Sequence, residues 1–185
     1  MPKFSHETPT IESISITYKI SIDSLAAYRT SIARLASSLL PVPDEFVGLT
    51  VDGLNAVFAT QRIELDTLLC FSLLSTVEAK FRMDYSVRCQ ARKPRDDVTA
   101  RLRAIYREQG LRADFSEDIL HARREARPEL AGDIGDLTAA FRYRHWLAHG
   151  RCWVPKRARR YDFWTVYRIC EQATAPLAPL VGSYS

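Results

Sequence analysis

A helical pattern without a single proline or glycine runs from Ala56 to Gln90. Apolar residues recur in it every three or four positions, which is the spacing of one face of an α-helix. They are Leu65, Leu68, Leu69, Leu73, Val77, Phe81 and Tyr85. Such a helix runs roughly 50 Å, longer than a small domain is wide. The pattern therefore predicts a central helix around which shorter helices pack.

The rest of the chain divides into shorter helical patterns whose ends carry capping residues or prolines. These patterns predict helices over about 25–39, 94–110 and 116–125, from about 129 or 133 to 149, and from 162 onward. A chain of 185 residues is long enough to bury its own core. We therefore expect one all-α domain over residues 24–185, a bundle of five or six helices.

The first residues, 1–23, follow a different pattern. Apolar and polar residues alternate there, with Ile14, Ile16, Tyr18, Ile20 and Ile22 at every second position. A period of two is typical of a β-strand. We therefore predict an N-terminal tail or arm, which forms a short strand or lies extended against a helix or another subunit.

Composition and charge narrow the class of protein. The formal net charge is +4, an excess that permits a polyanionic partner. No apolar run reaches the length of a membrane span, and the N-terminus lacks the apolar region of a secretory signal, so we expect a cytoplasmic protein with no membrane partner. The cysteines lack zinc-site spacing, so we expect them to be buried apolar residues: Cys70, Cys89, Cys152 and Cys170.

The segment from Phe141 to Gly150, FRYRHWLAHG, concentrates chemically active side chains. Arginine binds phosphate through a fixed fork of donors, and histidine exchanges a proton near neutral pH. On an ideal helix Arg142, His145 and His149 share one face, whereas Arg144 lies roughly 140° from His149. Helix ends often tighten or unwind, so either arginine remains a candidate. The combination indicates phosphoryl-ester chemistry, with RNA as the expected substrate.

A basic strip follows this segment. Five basic residues and no acidic residue lie between positions 151 and 160: Arg151, Lys156, Arg157, Arg159 and Arg160. The strip is either a solvated loop or a surface that contacts the phosphates of RNA.

The central helix carries two acid–base pairs at a spacing of four residues, Glu78 with Arg82 and Asp84 with Arg88. Residues at this spacing meet on the surface of a helix, so local ion pairs on a solvated face explain them. Alternatively, Glu78 or Asp84 faces the motif helix and orients Arg144 through a bidentate pair. Both interpretations stay open at this point.

The spacing Arg144-x4-His149 resembles the R-x4-6-H motif of the HEPN superfamily, whose members are helical bundles and often ribonucleases. The polar residue after the arginine is most often asparagine in that family, and here it is His145. Arg142 fits the longer spacing of the same motif. The resemblance extends to the layout, with a long central helix and a penultimate helix that ends in the motif, and covers about residues 24–173.

The resemblance implies a HEPN-like bundle and a metal-independent endoribonuclease that acts as a homodimer without a cofactor. In such an enzyme His149 transfers a proton, and Arg144 or Arg142 stabilises negative charge at phosphorus. A toxin or defence effector with a neutralising protein partner is one expected role. The alternatives are a catalytically silent HEPN-like module that binds RNA or nucleotide, or that only dimerises, and a purely structural helical protein.

Overall fold

The structure, a computed structural model, describes residues 8–90, 95–151 and 161–177. Over these residues the protein is all-α and contains no strand, which confirms the expected helical bundle. Its helices are α1 (Ile11–Ser37), α2 (Val51–Gln90), α3 (Asp97–Gln109), α4 (His121–Ala126), α5 (Ala131–Ala148) and α6 (Phe163–Thr174). A π-helical turn over Phe115–Leu120 leads into α4. None of the described helices has both the length and the apolar character needed to cross a membrane.

Helix α2 is the centre of the bundle, as the sequence predicts. It spans 40 residues and packs against α1, α3, α5 and α6. It begins five residues before the expected start, because the Thr50 hydroxyl accepts a hydrogen bond from the Gly53 amide at 3.1 Å. Its inward face supplies the largest share of the main core, including the fully buried Leu73, Leu74 and Val77.

The prediction of an N-terminal strand or extended arm is wrong, because α1 is helical from Ile11 onward. A reciprocal cap starts this helix. The Thr10 hydroxyl accepts from the Ser13 amide, and the Ser13 hydroxyl accepts from the Thr10 amide, both at 3.0 Å. These two bonds satisfy backbone donors that a helix start otherwise leaves open. The helix then crosses residue 23 without a break, so no separate arm precedes the bundle within the described residues.

The alternation of apolar residues in α1 has a helical explanation. A period of two contains every fourth position, and Ile14, Tyr18 and Ile22 follow that helical spacing against the main core. The intervening Ile16 and Ile20 face solvent and are 57% and 61% exposed. The same pattern of apolar residues therefore fits both a strand and one face of a helix, and the cap at Thr10 favours the helix.

Side-chain caps start two other helices of the bundle. The Asp96 carboxylate accepts from the Thr99 amide at 2.7 Å and starts α3, and Gly110 ends it with a φ of 61°. Asp162 accepts from the Thr165 amide at 3.0 Å and starts α6. These ends fix where α3 and α6 begin and where α3 ends.

The cysteines within the described residues are free thiols in or near the core. Cys70 and Cys170 are fully buried, and Cys89 is half-buried. Burial raises the pKa of the Cys70 thiol to about 12 and that of Cys89 to about 11. These thiols therefore behave as small apolar side chains, as expected. Cys152 lies outside the described residues.

Candidate functional site

The motif lies at the end of α5, and the packing of that helix decides which side chains face outward. Ile134, Leu137 and Phe141 are buried against the main core. Because these residues face the core, Arg142 and His145 face solvent. Arg144 is partly buried, with 30% of its side chain exposed.

Arg144 is held in place from the central helix. Its Nη2 lies 3.2 Å from Oε2 of Glu78, and its guanidinium lies 5.2 Å from the ring centroid of Phe71. No atom of the described residues accepts a hydrogen bond from its buried Nε. The guanidinium of Arg144 is therefore held by an ion pair and an aromatic ring, both of which come from α2.

Glu78 also binds a second arginine. Arg82 places its Nε 2.9 Å from Oε1 of Glu78 and donates from Nη1 to the Ala113 carbonyl at 3.2 Å. The side chain of Glu78 is 18% exposed, so solvent only partly screens this cluster. One carboxylate thus faces two guanidinium groups within this cluster.

A cleft of about 400 Å³ opens beside these groups. It lies between α2, the π-helical turn and α5. Its lining residues are Glu78, Arg82, Asp114, Phe115, Ser116, Glu117, Phe141, Arg142, Arg144 and His145. Both candidate arginines therefore line the same cleft, and the helical-wheel choice between them does not arise.

The two histidines of the motif contact each other at the end of α5. His149 caps the helix, and its backbone amide donates to the His145 carbonyl at 3.1 Å. The centroids of the two imidazole rings are 4.2 Å apart, with an angle of 57° between the ring planes. His145 lines the cleft, and His149 is exposed next to it. Two imidazole rings, the side chains most often used as general acid or base, thus lie in contact with one another.

Asp84, the second acidic residue considered for orienting Arg144, has other contacts. Its carboxylate accepts from Nε of Arg88 at 2.9 and 3.1 Å and also contacts Arg123 of α4. Arg88 in turn reaches Asp96 at 2.9 Å. The Asp84 side chain is only 2% exposed. Asp84 therefore belongs to a buried network that joins α2, α3 and α4, and Glu78 is the acidic residue beside Arg144.

Of the basic strip, only Arg151 lies among the described residues. Arg151 directly follows the motif and binds Glu64 of α2 in a bidentate pair, with distances of 2.8 and 2.9 Å. This hydrogen bond lowers the pKa of the Glu64 carboxyl. The other four residues assigned to RNA binding lie outside the described residues: Lys156, Arg157, Arg159 and Arg160.

Sequence reasoning missed two residues that support the site: Phe71, which contacts Arg144, and Arg82, which pairs with Glu78 and lines the cleft. Phe71, Glu78 and Arg82 stand at positions i, i+7 and i+11 of α2, a spacing that places them on one helix face. That spacing is visible in the sequence, but it identifies site residues only in combination with the packing of α5 against this face of α2.

No protein-family model, curated protein or solved structure matches the chain. Among the described residues, no three His, Cys, Asp or Glu side chains group together in a way that suits a metal ion.

Proposed function

We propose that the protein is a metal-independent endoribonuclease that cleaves RNA through attack by the 2′-hydroxyl. The observation that carries this proposal is the cleft in which Arg142, Arg144 and His145 meet, with His149 in ring contact beside them. Arginines bind the phosphate, and imidazoles move the protons that transesterification requires. The resemblance of the motif to the HEPN superfamily supports the same reaction.

Arg144 is the residue we assign to charge stabilisation. The contacts with Glu78 and Phe71 fix its position before a substrate arrives. A donor held in place in advance stabilises developing negative charge without reorganising during the reaction. Arg142 is exposed at the same cleft and reaches the phosphate from the solvent side.

The histidine pair supplies the proton transfers. One imidazole accepts the proton of the 2′-hydroxyl as that oxygen bonds to phosphorus. The other gives a proton to the 5′-oxygen as its bond to phosphorus breaks. His149 is our candidate for one of these roles and His145 for the other. The products are a 2′,3′-cyclic phosphate and a 5′-hydroxyl, and RNA itself provides the nucleophile.

The proposal extends to the assembly and setting of the protein. One set of two arginines and two histidines is a sparse site, and a two-fold axis would bring a second set to it. We therefore assign a cytoplasmic homodimer as the active form. A toxin or defence effector with a neutralising protein partner is the biological role that the resemblance supports.

A second candidate, a silent RNA-binding module, is favoured by one observation. Glu78 already pairs with Arg144, and this pairing reduces the charge available for a phosphate in the transition state. Such a cleft would still bind RNA through Arg142 and the basic residues that follow the motif in the sequence. Cleavage and binding must therefore be measured separately.

The test uses two RNAs that differ at one atom. The purified chain is incubated in EDTA with an oligoribonucleotide and with its copy carrying a 2′-deoxy substitution at the cleaved position. The proposal predicts a 2′,3′-cyclic phosphate product by mass spectrometry from the first RNA and no cleavage of the second. Equal binding of both RNAs without any cyclic phosphate would support the silent module and contradict the ribonuclease.

A further inference from the structure

The cleft beside the motif carries balanced charge. Three acidic residues and three arginines line it: Glu78, Asp114, Glu117, Arg82, Arg142 and Arg144. A surface that binds only phosphates carries an excess of positive charge. The balance in this cleft favours a ligand that brings hydrogen-bond donors as well as a negative group. A nucleotide brings both, through its base and its phosphate.

Four of these six residues already have partners. Glu78 pairs with two of the arginines, and Oδ1 of Asp114 accepts from two backbone amides of the π-helical turn, each at 2.8 Å. The other two, Arg142 and Glu117, are exposed and have no ion-pair partner among the residues that the structure describes. One guanidinium and one carboxylate therefore remain available to a ligand.

Glu117 and Arg142 lie on two walls of the cleft that pack against each other. Glu117 belongs to the π-helical turn, and Arg142 belongs to α5. The centroid of the buried Phe115 ring in the turn lies 4.5 Å from that of the Phe141 ring in α5. Because this contact joins the turn to the helix, it limits how far the two charged side chains can move apart. The half-buried Ser116, next to Glu117, adds a hydroxyl to the same wall.

The chemistry of the carboxylate indicates which base it would bind. A carboxylate offers two acceptor oxygens and binds best to two parallel donors. Guanine presents such a pair on its Watson–Crick edge, the N1–H and the amino group at C2. Adenine and cytosine present one amino group beside a ring nitrogen that accepts, and uracil presents one N–H between two carbonyl groups. A single carboxylate therefore favours guanine among the bases of RNA.

We propose that Glu117 makes the cleft specific for guanosine, with the 3′-phosphate of that nucleotide at Arg142 and its O6 at the hydroxyl of Ser116. The hydroxyl is the donor that O6 requires. This assignment rests on the proposed ribonuclease, because the bound guanosine is the nucleotide whose 2′-hydroxyl attacks. It predicts cleavage on the 3′ side of guanosines in single-stranded RNA, where the Watson–Crick edge is open.

Two nucleotides that differ by one amino group test this assignment. Binding of guanosine 3′-monophosphate and of inosine 3′-monophosphate to the full chain is measured by isothermal titration calorimetry. Inosine lacks the amino group at C2 and keeps the N1–H and O6. The guanosine nucleotide should bind about tenfold more tightly, because inosine loses a hydrogen bond to a charged acceptor.

Two variants separate the base assignment from the ribonuclease. Glu117→Ala removes the acceptor and should bind the two nucleotides equally. The control is Glu125→Ala, which removes an exposed carboxylate of α4 outside the cleft lining and should keep the wild-type preference. A preference for guanosine that depends on Glu117, in a chain that cleaves no RNA, would support the base assignment and contradict the ribonuclease. RNA cleavage together with equal binding of the two nucleotides, an unchanged preference in Glu117→Ala, or binding of neither nucleotide would each overturn the base assignment alone.

Discussion

The carboxylate of Glu78 pairs with Arg144 across the interface of α2 and α5, with 3.2 Å between Oε2 and Nη2. This contact joins the central helix to the candidate motif and fixes an arginine at the edge of a cleft. The same carboxylate holds Arg82, so one residue organises the basic side of the site.

Replacing this carboxylate should disturb the site more than the fold. Glu78→Gln keeps the shape of the side chain and removes the charge that holds Arg144. We expect RNA cleavage to fall about 10-fold to 100-fold, because small displacements of catalytic groups are costly. The free energy of unfolding, measured in urea, should fall by only about 1 kcal/mol because the pairs are partly exposed. The matched control is Glu64→Gln, which removes the partner of Arg151 from the same helix, and equal loss of cleavage in both variants would argue against a specific role for Glu78.

Asp84 should matter for stability. Asp84→Ala leaves the guanidinium groups of Arg88 and Arg123 buried without their shared carboxylate. Breaking a buried pair by removing one partner costs about 3–5 kcal/mol. The control is Asp97→Ala, which removes an exposed carboxylate paired with Arg101 and should cost less than about 1 kcal/mol. Urea denaturation of the two variants compares these costs. Similar losses of unfolding free energy would show that the buried network adds nothing to the stability of the fold.

Stability at acid pH should depend on Asp96. Burial acts to raise the pKa of this carboxyl, but hydrogen bonds from Thr99 and the ion pair with Arg88 outweigh it and hold the pKa at about 2. An unfolded aspartate titrates near 3.9, so the unfolded chain takes up this proton first as the pH falls. The contribution of Asp96 is therefore complete above about pH 4 and is lost between about pH 4 and pH 2.

The difference in unfolding free energy between the wild type and Asp96→Asn measures this contribution across the acid range. We expect the difference to shrink as the pH falls toward 2. A difference that stays constant from pH 5 to pH 2 would contradict the role given to Asp96.

Assembly offers an independent check. If the active site is composite, light scattering at micromolar concentration should give the mass of a dimer. RNA cleavage should then fall more steeply than protein concentration on dilution. A strict monomer that cleaves RNA at full specific activity would remove the two-fold axis from the proposal while leaving the chemistry intact.

Local signals in the sequence determine much of this fold. The helix starts at Asp96 and Asp162 were predictable because a capping carboxylate acts within three residues of itself. The start of α1 was not, because Ile14 and Tyr18 fit both a strand and a helix. The decisive cap at Thr10 and Ser13 lies just outside the apolar pattern.

The site was only half predictable for a different reason. The sequence pattern predicts that Arg142, Arg144 and His145 lie on one helix, and the geometry of an ideal helix predicts which of them share a face. The contact between Glu78 and Arg144 depends on how α2 and α5 pack, which no local signal specifies. Asp84 shows the same limit, because its spacing to Arg88 indicates a surface pair and tertiary packing buries it against Arg123.

The most direct test of the ribonuclease is the loss of one imidazole. His149→Ala should reduce the rate of RNA cleavage by about 10²–10⁴-fold, because removing a general acid or base costs that much. His121→Ala, which removes an exposed histidine from α4, is the control and should cleave at the wild-type rate. Both rates are measured in EDTA with enzyme in excess over RNA. A His149→Ala protein that cleaves as fast as the wild type, or a wild type that cleaves only with a divalent metal, would contradict the mechanism.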